Sequence, residues 1–103
     1  MAISVRIPPQ IGRVYGAQSW EHVEAENVAH VIRMLDARFP GLGERLTEPG
    51  GTLRRWINIF VNGEDIRALN GLATPLDPDA EVYIVPAVAG GRAGGKRTPV
   101  LLL

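Results

Sequence analysis

Apolar and polar positions alternate most clearly at three places along the chain. Ile3, Val5 and Ile7 alternate with Ser4 and Arg6, a period of two that predicts a strand with one buried face, and Pro8-Pro9 ends it. In "WINIFVNG", Ile57, Ile59 and Val61 share one face and Trp56, Asn58 and Phe60 the other, with Asn62-Gly63 supplying a hairpin turn. In "EVYIVPAV", Val82 and Ile84 lie opposite Tyr83 and Val85, and Pro86 lacks a ladder donor, which predicts fraying there. Two weaker strands complete the set: "QSWEHVE", whose alternation is ambiguous, and "EDIRAL", read as a short edge strand. Between residues 27 and 39 the period changes. Val28, Val31, Ile32, Leu35 and Phe39 recur at helical spacing behind Asn27, a residue suited to the N-cap, while Asp36 and Arg38 fall off the stripe and Pro40-Gly41 ends the helix. Gly12 and Gly16 predict a loop, "GLGERLTEPGG" allows one short helical turn, and "TPLDPDA" reads as a polar loop.

The order is strand, strand, helix, strand, strand, strand. One amphipathic helix can cover one face of a small mixed sheet, and the first and last strands, far apart in sequence, can lie parallel in its middle through a right-handed crossover. The expected class is α+β, a β-grasp or ubiquitin-like sheet of about five strands with one main helix on one face. Residues 1–89 form the domain and residues 90–103 a flexible tail. If the alternation holds, the core takes Ile57, Ile59, Val61, Val82 and Ile84 and leaves Phe60, Tyr83 and Val85 together on the uncovered face. Scattered surface apolar residues need no explanation. Three adjacent ones just before the tail form a patch of the kind that partners grip, and Ala87, Val88 and Ala89 continue it into the tail.

Composition narrows the chemistry. At 103 residues the chain suits one domain. No apolar run is long enough to span a membrane, and the N-terminus lacks the basic and apolar blocks of a secretory signal, so the expected location is the cytoplasm. The lack of cysteine excludes disulfides, thiol nucleophiles and zinc sites built on thiolates. The net charge of zero hides an asymmetry. Residues 1–91 carry eight cations against eleven acids, a net −3, and Arg92, Lys96 and Arg97 give the tail +3. Such a body does not seek nucleic acid through long-range charge. No phosphate-cradling glycine loop joins a strand to a helix. His22 and His30 have no nucleophile or ligand cluster in the sequence around them, and Asp77 and Asp79 flank Pro78 as turn residues. The chain is therefore not expected to be an enzyme, nor to hold a metal or a permanent cofactor. Lys96 is the only lysine, so the body without its tail offers one free amine, at the N-terminus.

Two glycine pairs, Gly90-Gly91 and Gly94-Gly95, stand near the end, where no turn between elements requires them. Taken with "VNGEDIR", "GLATPL", "DPDAEVYIVP" and "PAVAGG", the ending resembles the small sulfur carriers of the ThiS/MoaD family, in particular their CysO-like actinobacterial branch. The resemblance covers most of residues 1–91. It implies that the working group is the carboxylate of Gly91, extended by Gly90. An E1-like adenylyltransferase would adenylate it with ATP, and sulfur would displace AMP to leave a thiocarboxylate. A sulfur-acceptor synthase would then receive the sulfur for cysteine, thiamin thiazole, molybdopterin or a sulfur-bearing secondary metabolite. Terminal glycines suit this work because no side chain blocks a narrow channel and any φ/ψ is open. Ala87 to Gly91 extend over about 17 Å at ~3.3 Å per residue.

The chain departs from that pattern by continuing with "RAGGKRTPVLLL". While Gly91 is bonded to Arg92 its carbonyl is an amide, with no carboxylate to activate. A tail-clipping metalloprotease could expose Gly91, the working end could instead be Gly95 behind Gly94, or the extension could be foreign to the native protein. Two rival functions share the sequence: a ubiquitin-like modifier joined to target lysines, and a β-grasp interaction domain with a linker-like tail.

Overall fold

A computed structural model of the chain describes residues 2–87. The elements in chain order are β1 (Ile3–Arg6), α1 (Pro9–Tyr15), β2 (Trp20–Val23), α2 (Val28–Arg38), α3 (Leu42–Leu46), β3 (Ile57–Val61), β4 (Glu64–Asp65) and β5 (Glu81–Pro86), with 3₁₀ turns at Ile66–Ala68 and Gly71–Ala73. The sheet order is β2-β1-β5-β3-β4. β1 and β5 lie parallel at its centre, with Val5 opposite Val82, and every other pairing is antiparallel. This is the β-grasp arrangement that the alternation predicts.

One face of the sheet is the core. Ile3 and Val5 of β1, Ile57, Ile59 and Val61 of β3, and Val82 and Ile84 of β5 are all buried, together with Val28, Val31, Ile32 and Leu35 of α2. Leu42 and Leu46 of α3 and Ile11 of α1 close the ends of the same cluster. The N-terminus of α2 is fastened by two side chains. Asn27 Oδ1 accepts the His30 N–H at 2.8 Å, and His30 Nδ1 accepts the N–H of Glu26, one residue before the cap, at 3.1 Å. His30 is thus a capping residue.

Three local readings need correction. The segment expected as a loop around Gly12 is helix α1. Pro9 occupies its first turn, where the missing N–H costs nothing, and Gly16 at φ 77° closes it. The glycines that looked like loop punctuation are a close-packing position and a C-cap. The segment "EDIRAL" pairs only at Glu64–Asp65 and then winds into a 3₁₀ turn, which turns Ile66 into the core. Finally, β5 does not fray at Pro86, because Ala87 N–H still donates to Trp56 O at 2.6 Å. Odd-numbered residues of β5 face β3, so the donor that Pro86 lacks would point toward β1, which has already ended at Arg6.

The Asn62-Gly63 turn forms as expected, with φ 49° and 91°. Asn62 also binds Glu81 through its N–H and accepts the Glu81 N–H on its side-chain oxygen, which pins the hairpin to the start of β5. Asp79, at φ 68°, takes the left-handed corner of the polar loop, and Ala80 N–H closes back on Asp77 O, so both aspartates serve the turn.

Candidate functional site

The other face of the sheet carries no helix among the described residues. Its side chains come from the positions that alternate with the core. In register across the strands, Trp20 lies opposite Arg6, Arg6 opposite Tyr83, Tyr83 opposite Phe60, and Phe60 opposite Asp65. A second row places Val85 opposite Asn58. The structure therefore sets Phe60, Tyr83 and Val85 side by side, around a shallow depression whose rim is completed by Asn62, Gly63 and Glu81. Val85 is 37% exposed, while Phe60 and Tyr83 are half-buried against their neighbours.

Sequence reasoning missed part of this face. Trp20 meets Tyr83 edge to face, with ring centroids 5.4 Å apart and planes at 82°. The Arg6 guanidinium lies over the Trp20 ring at 5.8 Å. β2 was too irregular in its alternation for the face of Trp20 to be read. Trp56, 43% exposed, stands one step beyond β3 on the same face, opposite Ala87. The patch therefore reaches the point where β5 leaves the sheet.

A polar bracket sits beside the apolar side chains. Arg67 Nη2 donates to Asn58 Oδ1 at 2.6 Å and to Asp65 Oδ2 at 2.8 Å, and Arg67 Nε donates to Asp65 Oδ1 at 3.2 Å. Asp65 Oδ1 also accepts the Arg67 N–H at 2.8 Å, capping the 3₁₀ turn. These hydrogen bonds from Arg67 hold the Asp65 carboxyl below its ordinary range and push the Arg67 guanidinium further up. The bracket fixes Asn58 in the middle of the face.

Ala87 is exposed and marks the root of the tail. Val88, Ala89, Gly90, Gly91, Gly94 and Gly95, named from the sequence, lie outside the described residues. Among the described residues no group of His, Cys, Asp and Glu side chains could hold a metal ion, and no helix is long and apolar enough to cross a membrane.

The chain is similar to several known proteins over nearly its whole length. It is 40% identical to the sulfur carrier protein CysO of Mycobacterium tuberculosis, over 88% of this chain and all of that one. It is 34% identical to small archaeal modifier protein 3 of Haloferax volcanii, again over 88% of this chain and all of the other. Among solved structures, one from the Amycolatopsis orientalis BexX/CysO complex superposes with a TM-score of 0.80 at 32% identity, covering 87% of this chain and the whole of that one. The ThiS family pattern matches residues 5–91, from β1 through all five strands to the second glycine of the first pair. The chain belongs to the ThiS family.

Proposed function

We propose that the protein is a sulfur carrier whose chemistry resides in the carboxylate of Gly91 rather than in any side chain. The observation that carries this reading is the position of the tail root. β5, a central strand, leaves the sheet at Ala87 beside Trp56, on the face that presents Phe60, Tyr83 and Val85. From there four residues lead to Gly91, and extended they span about 13 Å at ~3.3 Å each. An enzyme that grips the open face would have Gly91 within about 13 Å of the tail root, inside the reach of its own site. The similarity to CysO, and the existence of a CysO complex with BexX, support a carrier that works by docking on other proteins.

The chemistry follows from the group. A carboxylate is a poor electrophile until it holds a good leaving group, and the sequence carries no phosphate-binding loop motif between a strand and a helix. An E1-like partner using ATP makes the acyl adenylate. Sulfide or a sulfur donor attacks that carbonyl, the C–O bond to AMP breaks, and a thiocarboxylate remains for an acceptor synthase. The Gly91–Arg92 amide must first be hydrolysed, and a metalloprotease is the proposed agent.

A chain ending at Gly91, mixed with the adenylating enzyme, ATP and sulfide, should gain about 16 Da as sulfur replaces oxygen. The full-length chain should not change. Reaction of the full-length chain at its own end, or an inert truncated chain, would overturn the assignment. A second reading, conjugation to target lysines, is favoured by the similarity to small archaeal modifier protein 3. It predicts lysine-linked adducts in the same mixture.

A further inference from the structure

Asn58 is the one amide in the middle of an otherwise apolar stretch of the open face, with Trp56 and Phe60 two residues to either side and Val85 across the strand pair. Its orientation follows from chemistry. A guanidinium has only donors, so the side-chain atom 2.6 Å from Arg67 Nη2 is the amide oxygen. Arg67 is itself held by Asp65 through two side-chain bonds and a main-chain bond, so the oxygen is locked inward. The amide nitrogen must then point away from Arg67, and no described residue accepts from it. The bracket thus presents two N–H donors, in fixed orientation, from the centre of an apolar patch.

We infer that Asn58 is a specificity residue of the docking face: its Nδ2 donates to an uncharged carbonyl oxygen of the adenylating enzyme. This rests on the docking reading above. The physical reason is desolvation. When an apolar partner surface covers Trp56, Phe60 and Val85, the Asn58 N–H groups lose water, and a partner without an acceptor there leaves them unsatisfied. The acceptor is an uncharged carbonyl because the cation beside Asn58 is already neutralised: Arg67 is turned onto Asp65, and Arg6, the cation over Trp20, lies two strands away, so a carboxylate buried against Asn58 itself would meet no unpaired positive charge there. Asn58 therefore admits partners with an oxygen at one point and rejects equally apolar partners that lack it.

The test is a titration of the adenylating enzyme with Asn58→Val, Asn58→Asp and Phe60→Ala, each made both in the full chain and in the chain ending at Gly91. Asn58→Asp keeps the bond to Arg67 and the shape but replaces the outward donor with an acceptor; Asn58→Val removes the donor without adding charge. Both should bind about tenfold more weakly or worse, with unchanged melting temperature, and the loss in Asn58→Asp should persist at raised salt. Phe60→Ala should also bind more weakly. If Phe60→Ala weakens binding while Asn58→Val binds as well as the parent, the role of Asn58 is overturned and the docking face stands. If raised salt restores Asn58→Asp, the effect is charge repulsion and the assignment of an uncharged acceptor is overturned. If none of the three variants changes affinity, the docking reading fails and this inference with it.

Discussion

Gly12 is a residue whose reason is purely spatial. It lies inside α1, where alanine ordinarily stabilises a helix by up to ~1 kcal/mol over glycine. A Cβ at this position would stand 2.9 Å from the Ala17 carbonyl oxygen, a main-chain atom that cannot step aside. The clash outweighs the propensity, so Gly12→Ala should destabilise the protein by about 1–3 kcal/mol, read as a lower urea midpoint. Asp65 shows a charge effect at the same scale. Its folded-state carboxyl is held below the ordinary value by Arg67, so its ionised form contributes stability above the unfolded pKa, and that contribution is lost as pH falls through the lowered folded value. Arg67 is 67% exposed, which screens the pair and keeps the contribution small. Acid unfolding of Asp65→Asn should therefore lack one small component of the parent's stability loss below the carboxylate range, and identical curves would show that the bracket contributes nothing to folding.

At the scale of elements, β3 divides its side chains between two jobs. Ile59 is 1% exposed on the core face, and Phe60 looks out beside Tyr83. Ile59→Ala leaves a cavity and should cost ~2–5 kcal/mol of stability. Phe60→Ala should cost less folding stability and should weaken partner binding instead, by about 1–2 kcal/mol if it is a hot spot. Thermal melts and one binding titration on the two variants check the division, and equal loss of stability in both would remove it. This division was legible from the alternation in "WINIFV", because a strand's side chains have a strict period of two. The faces of β2 and β4 were not legible in the same way. β2 has only Val23 fully buried, and β4 pairs over two residues before the 3₁₀ turn takes Ile66 inward. Helix α1 was missed because proline and glycine signal turns in a local reading, and only packing against Ile7 and Ala17 shows them serving a helix.

At the scale of the whole molecule, the first and last strands meet in the middle of the sheet and carry the core between them. Among the described residues every buried core residue lies between Ile3 and Ile84, so the chain ending at Gly91 that tests the function should melt with the full-length chain. Equal melting temperatures with unequal reactivity would place the difference in the chemistry of the end group. The sequence by itself determined the fold class, the capped main helix, the core face of β3 and β5, and the diglycine, because each rests on local period or local chemistry. Only the tertiary structure decided that Trp20 and Tyr83 touch, that Trp56 stands at the tail root, and that Arg67 turns the amide of Asn58 outward. Those contacts join residues from different strands and turns. Their geometry comes from register across the sheet, which no single stretch of the chain contains.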